Sequence, residues 1–401
     1  MRILQLGFVP IEAGGQGTGG IATHLWELSE NLVKLGHRVQ VFALNRLKQD
    51  ITVQNIRIHH FPSSAESLLF PLISPPPKAL FRAAKSSKGG FFKGIGKAYW
   101  VQKILRAAKP DLVHNHLPGF FFGPVMRALD PDLPMVLTLH SVHDITHNIS
   151  KDSDHIARIT ALFQANLQAA DAVITVHPHV AEQAKELGLS WDAPTFPVIN
   201  AVSSKGFDII ERFKARKELG LETGVKMILF SGIMTGRKGE QELIRAAQLL
   251  PDDVRVLMIG YGPKENRAKQ LIKDLGLQNR VQVIGPVARE KMRLFYNASE
   301  LFVLPSHSEG FALSYLESLL CGTPFVADKN IPQELINQEA CVLVDARDPK
   351  DIARGILQAL AKTWDRNIIR RFGLRFAWGP EKAGEYLEVY ERAIGIRKAL
   401  Q

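Results

Sequence analysis

Along this chain, short apolar runs closed by glycine, proline or polar residues alternate with longer stretches whose apolar positions recur three and four apart. The runs predict strands over residues 2–8, 38–43, 112–114, 135–139 and 172–176, and again over 226–230, 255–259, 281–284, 301–304 and 325–327. Residues 21–35 read as an amphipathic helix stopped by Gly36, which makes the start of the chain a βαβ unit. Residues 376–397 read as a closing amphipathic helix. Strand and helix in turn predict the α/β class, with parallel sheets covered by helices. A length of 401 residues exceeds what one core usually holds, so two domains are expected, linked near residues 197–202.

One stretch concentrates candidate chemistry. After the predicted strand at 301–304, Pro305 and Ser306 open a loop, and helical spacing resumes from Leu313 to Cys321 before Gly322 and Pro324 end it. A helix start presents unpaired amides and a partial positive charge, so the backbone of Gly310, Phe311, Ala312 and Leu313 suits a phosphate. Glu309 precedes this helix, while Glu317 falls on its leucine stripe. A carboxylate there is costly without donors, and sugar or ribose hydroxyls are donors. The alternative is a solvated Glu317 and a Glu309 placed for the helix dipole.

Glu309, seven intervening residues and Glu317, followed by Cys321-Gly322-Thr323-Pro324, resemble the signature of retaining glycosyltransferases of the GT-B fold. The likeness is to their large family-four type, the glycosyl transferases of group 1, which use nucleotide-sugar donors. Segments 228–239, 258–263, 280–286 and 301–305 follow in that family's order, and the resemblance covers nearly the whole chain, in most detail from 225 to 334. It implies two Rossmann-like domains, 1–200 and 201–375, facing a central cleft, with the helix of 376–401 returning to the first. It also implies that Lys238, Glu309 and His140 serve catalysis. Donor binding then falls to Gly19, Gly20, Arg237, Gly262, Val287, Gly310, Phe311, Ala312, Leu313 and Glu317, with no cofactor and no divalent metal.

Three departures stand out. Ile233 follows Gly232 where the family has arginine, although Lys238-Gly239 is kept. Losing one charge-assisted contact to a diphosphate costs roughly 1.5–3 kcal/mol, unless Arg237 supplies the guanidinium from a shifted position. Ala312 stands where the family often has glycine. At the link, Asn200-Ala201-Val202 has alanine in place of the family's glycine, so the turn must avoid a left-handed backbone or bear its cost.

The first half offers a rival motif. Gly15, Gly17 and Gly20 spell G-x-G-x-x-G, the dinucleotide fingerprint. About ten residues separate strand and helix where that motif wants a tight turn, and the second strand ends in Asn45-Arg46 without an acid for a ribose. An NADP enzyme is therefore the weaker reading, and the resemblance sets this loop against the donor pyrophosphate. His114, His116 and His140 fall at strand ends, where open α/β sheets bind ligands. His140 matches a family histidine near the donor sugar and acceptor, against the alternative of a core histidine bonded to backbone. His143, Asp144 and His147 mimic metal spacing but read as polar loop residues.

Composition adds limits. Two cysteines, Cys321 and Cys341, give neither a disulfide framework nor a metal-ligand set and suit a reducing cytoplasm. The apolar start is a first strand rather than a secretion signal, and no run approaches the roughly 18 apolar residues of a membrane span. Between Ser67 and Pro110 there are nine Lys and Arg and no acid, nearly the whole net charge of +10. With Phe70, Phe81, Phe91, Tyr99 and Trp100 interleaved, residues 68–109 suit a solvated basic face or an anionic membrane surface. No nucleic acid is expected. The expectation is a cytoplasmic enzyme, peripheral on the membrane, that moves a hexose or its derivative from a nucleotide-diphosphate sugar to a glycan, lipid-linked or small-molecule hydroxyl. The alternatives are a sugar-nucleotide epimerase and a nucleotide-sugar-binding protein without catalysis.

Overall fold

The computed structural model describes residues 1–15, 19–44, 49–60, 91–142, 145 and 153–400, without the side chains of Glu12 and 91–97. Gly17, Asn45, Arg46, residues 68–90 of the basic segment, and His143, Asp144 and His147 lie outside the described residues. The chain divides into two compact units, Met1–Ile199 with Trp378–Gln401, and Asn200–Ala377.

In the first unit the order is β1 (Arg2–Gly7), α1 (Gly20–Lys34), β2 (Arg38–Ala43), β3 (Ile51–Val53), β4 (Ile56–His60), α2 (Phe91–Ala108), β5 (Leu112–Asn115) and α3 (Phe122–Leu129). It continues with β6 (Met135–Leu139), α4 (Ser153–Ala169), β7 (Ala172–Thr175), α5 (Pro178–Glu186) and β8 (Thr195–Pro197). These strands form one sheet in the order β3-β4-β2-β1-β5-β6-β7-β8, parallel except for the β3/β4 hairpin. The central strands are buried along almost their whole length, as expected of parallel strands covered on both faces.

The second unit contains α6 (Arg212–Leu219), β9 (Lys226–Ser231), α7 (Glu240–Ala247), β10 (Val254–Ile259), α8 (Glu265–Asp274), β11 (Val281–Gly285), α9 (Arg289–Ala298) and β12 (Leu301–Leu304). After them come α10 (Leu313–Leu320), β13 (Phe325–Asp328), β14 (Cys341–Val344), α11 (Pro349–Ala361) and α12 (Arg366–Leu374). Its sheet is wholly parallel, β11-β10-β9-β12-β13-β14.

The closing helix, α13 (Pro380–Ala399), starts four residues later than the apolar spacing predicts, because Gly379 is extended and Pro380 opens the helix. It belongs to the first unit. Tyr386, Val389, Tyr390 and Ala393 pack among Ile3, Leu28, Val39, Leu112, Val136 and Ile174, and Trp378 donates to Glu27 at 2.9 Å. Ala201 is buried and is not among the described residues with positive φ, so the link avoids the left-handed backbone its alanine would resist. Among the described residues no helix is long and apolar enough to cross a membrane.

Truncating the fully buried Tyr386 should open a cavity under α13. Tyr386→Ala is expected to cost the first unit about 3–5 kcal/mol, read as an earlier urea transition while the second unit's transition stays in place.

Candidate active site

The polar residues of the second unit gather where its parallel strands end. The loop after β9 is stitched to the one after β10 by Gly232 N donating to Ile259 O (3.0 Å), Met234 N to Tyr261 O (2.8 Å) and Lys264 N to Met234 O (3.0 Å). Gly260 N reaches Gly285 O at the end of β11 (2.9 Å), and His307 N reaches Arg237 O (2.8 Å). Such contact requires glycine. A β-carbon on Gly262, at φ +154°, would lie 2.4 Å from the Met234 carbonyl oxygen, and one on Gly239, at φ +72°, would lie 1.9 Å from that of Pro305. The pairing of Lys238 with Gly239 thus has a steric cause: Gly239 lets α7 begin against the β12 loop and leaves Lys238 beside it.

Lys238 donates to Glu309 Oε1, and Arg237 Nη1 lies 3.2 Å from the same oxygen while also donating to the Ser308 carbonyl. All three side chains are nearly buried. Burial by itself pushes the Glu309 carboxyl up, but the positive charges of Lys238 and Arg237, with hydrogen bonds from Lys238 and Ser306, bring it down to about 2. Burial lowers Lys238, with Glu309 opposing and Arg237 adding to the effect. Ile233 is exposed, so the side chain at the family's arginine position offers no cation, and Arg237 reaches the 306–309 loop instead.

Gly310, Phe311, Ala312 and Leu313 head α10, where Ala312 is the extended N-cap residue and contributes no side-chain cap. Asn200 Nδ2 donates to the Phe311 carbonyl at 2.9 Å, which ties the start of this unit to that turn. Glu317, one turn into the helix, accepts from Tyr296 OH at 3.0 Å and Arg289 Nε at 3.3 Å. Arg289 follows Val287 by two residues at the start of α9, so the loop carrying Val287 is held beside Glu317. The structure therefore brings together Arg237, Lys238 and Glu309, and separately Glu317 with Arg289 and Tyr296, Val287 lying two residues before Arg289. Arg289 and Tyr296 escape sequence reasoning, because their spacing from Glu317 carries no signal until the helices pack.

In the first unit His140 follows β6, with Nε2 3.1 Å from Nδ1 of the buried His116. Gly19 is the N-cap of α1 and Gly20 its first residue. Ring nitrogens of His24, His116 and His140 lie within 4.8 Å of one another, a spacing that invites comparison with a metal site. The donor set fits poorly: His116 and His140 are stacked at 26° and bonded to each other, and Tyr386 OH meets His24 Nε2 at 3.3 Å. Burial first, then the neighbouring histidines, hold His116 and His140 well below the ordinary histidine range, so both are neutral near pH 7. His140 is half-buried and is the outer member of a histidine cluster.

Two family models match the chain, glycosyl transferases group 1 over residues 211–374 and glycosyltransferase family 4 over 18–195. Among curated relatives, the D-inositol 3-phosphate glycosyltransferase of Xylanimonas cellulosilytica is 26% identical over 97% of this chain and 96% of its own. An uncharacterized glycosyltransferase of Methanocaldococcus jannaschii is 26% identical over 88% and 87%. Sucrose-phosphate synthase from Thermosynechococcus elongatus shares the fold, with a TM-score of 0.73 at 21% identity over 100% and 99% of the two chains. So does Anabaena HepE, solved with UDP and glucose, with a TM-score of 0.70 at 18% identity over 97% and 98%.

The depressed Glu309 carboxyl has a pH signature. Its folded value near 2 lies below the unfolded one, so its contribution is complete above about pH 5 and fades as pH falls toward 2. The shift corresponds to roughly 3 kcal/mol. Glu309→Gln, which leaves two cations sharing a buried site, should lower unfolding free energy at pH 7 by about that amount and flatten the acid slope. Parallel slopes in denaturant titrations of the two proteins between pH 5 and 2 would contradict this.

Proposed function

The chain belongs to the glycosyl transferases of group 1, and on that premise we propose that it moves a hexose or hexose derivative from a nucleotide-diphosphate sugar to an acceptor hydroxyl with retention at the anomeric carbon. The observation that carries this reading is the buried group of Lys238, Arg237 and Glu309 at the head of α10. Departure of a nucleoside diphosphate builds negative charge on phosphate oxygens. A desolvated ammonium and guanidinium, held by one carboxylate and by loop backbone, are fixed before that charge forms and need no reorganisation to meet it. The amides of Gly310, Phe311, Ala312 and Leu313 add the positive end of a helix beside them.

Glu309, charged throughout the neutral range, can accept hydrogen bonds from hydroxyls of the sugar. Glu317, oriented by Arg289 and Tyr296, takes the ribose hydroxyls, with Gly262 and Val287 on the nucleotide loops. His140 meets a hydroxyl near the reacting carbon, and Gly19 and Gly20 leave the backbone close to the pyrophosphate. The acceptor attacks from the face the diphosphate leaves, and the leaving oxygen takes its proton, so no hydrolase-like pair of carboxylates is needed. A uridine donor is favoured by HepE, whose solved forms include UDP-glucose. Both matching family models are of transferases, which favours transfer over epimerisation. Residues 68–109 would hold the enzyme on an anionic membrane surface from the cytoplasmic side.

Lys238→Ala is expected to lower turnover of the nucleotide sugar about 100-fold or more, and Glu317→Ala to weaken nucleotide binding roughly tenfold or more. Release of nucleoside diphosphate from UDP-glucose, with D-inositol 3-phosphate among the acceptors tried, reads both. Unchanged rates in both variants would refute the site, and an inverted anomer in the product would refute retention.

A further inference from the structure

Behind His140 a line of hydrogen bonds runs into the buried interior of the first unit as far as β1. His140 Nε2 meets His116 Nδ1 at 3.1 Å, and His116 Nε2 meets Gln5 Oε1 at 2.6 Å. Gln5 Nε2 is buried and makes no hydrogen bond, so the line ends at this side chain, and a separate bonded group lies on β5 and the closing helix. Tyr390 OH lies 2.7 Å from His114 Nδ1, and His114 Nε2 lies 2.6 Å from Thr138 Oγ1. Gln5, His114, His116, Thr138 and Tyr390 are all wholly buried.

Each contact needs one donor and one acceptor, and a neutral imidazole has one of each. Direction at one link therefore sets direction at the next. The carbonyl oxygen of Gln5 only accepts, so the proton of His116 is on Nε2 and its Nδ1 carries a lone pair. His140 must then donate from Nε2, and its own lone pair falls on Nδ1. One amide oxygen on β1 thus sets the direction of both links.

We propose that Gln5 and His116 are positioning residues that hold His140 as the neutral Nε2–H tautomer, with Nδ1 as a hydrogen-bond acceptor for a substrate hydroxyl. This rests on the reading of His140 given above. An acceptor nitrogen selects a group that can donate, so the site takes a sugar or acceptor hydroxyl there and rejects the corresponding ether or deoxy position.

The test is the protonation pattern of His140 in the full chain labelled with 15N-histidine at neutral pH, assigned by comparison with His140→Gln. The expected spectrum shows Nδ1 unprotonated and Nε2 protonated; the reverse overturns the proposal. Gln5→Leu should mix the two tautomers and lower kcat roughly tenfold or more with KM for the nucleotide sugar unchanged, since a general acid–base or hydrogen-bonding group in the wrong form loses its contribution. Gln5→Glu, which keeps an acceptor for His116, should restore the Nε2–H form. A Gln5→Leu variant that leaves tautomer and kcat unchanged overturns the positioning role. If His140→Ala turns over normally while the spectrum is as expected, the catalytic part of the proposal fails and the hydrogen-bonded line stands.

Discussion

The second unit depends on keeping a carboxylate charged where water is scarce. Glu309 manages this only because Lys238 and Arg237 are both within reach, and those two cations are tolerable inside only because Glu309 lies between them. Neither half survives alone. To place the three together the backbone after β9 must come against the backbone after β12, which is why Gly239 sits where any side chain would overlap the Pro305 carbonyl. The local chain path and the electrostatics are therefore one requirement seen from two sides.

The first unit solves a different problem with the same α/β layering. Its strand ends carry imidazoles rather than ion pairs, and burial keeps them neutral. Neutral donors and acceptors inside a protein must be matched one to one. The line from His140 to Gln5 is built of neutral groups, whereas the Lys238, Arg237 and Glu309 group uses full charges. Fixed charge suits a departing diphosphate, and directional neutral groups suit hydroxyls.

Much of this could be read from the amino acids because long parallel strands write their burial plainly. The runs at 38–43, 135–139 and 301–304 coincide with β2, β6 and β12 to the residue. Four strands left no such trace. In β3 and β4 the hairpin turns on Gln54 and Asn55 with positive φ and no glycine to announce it, and β4 carries Arg57 and two histidines. At the sheet edge β8 is three residues long, and β14 follows a loop whose own polarity masks it. In the site, Lys238, Glu309 and Glu317 could be found because motif spacing marks them. Arg289 lies 28 residues from Glu317 and Tyr390 276 from His114, and only packing makes such pairs.

The closing helix has a consequence for how the molecule is made. Tyr386 and Tyr390 fill the interior under β1, β2 and β5, yet they leave the ribosome after the whole of the second unit. During synthesis the second unit has all of its own residues while the first still lacks part of its core. Nascent chains thus hold an unfinished amino-terminal half, its apolar floor uncovered, until the closing helix emerges, and the order of completion reverses the order of emergence.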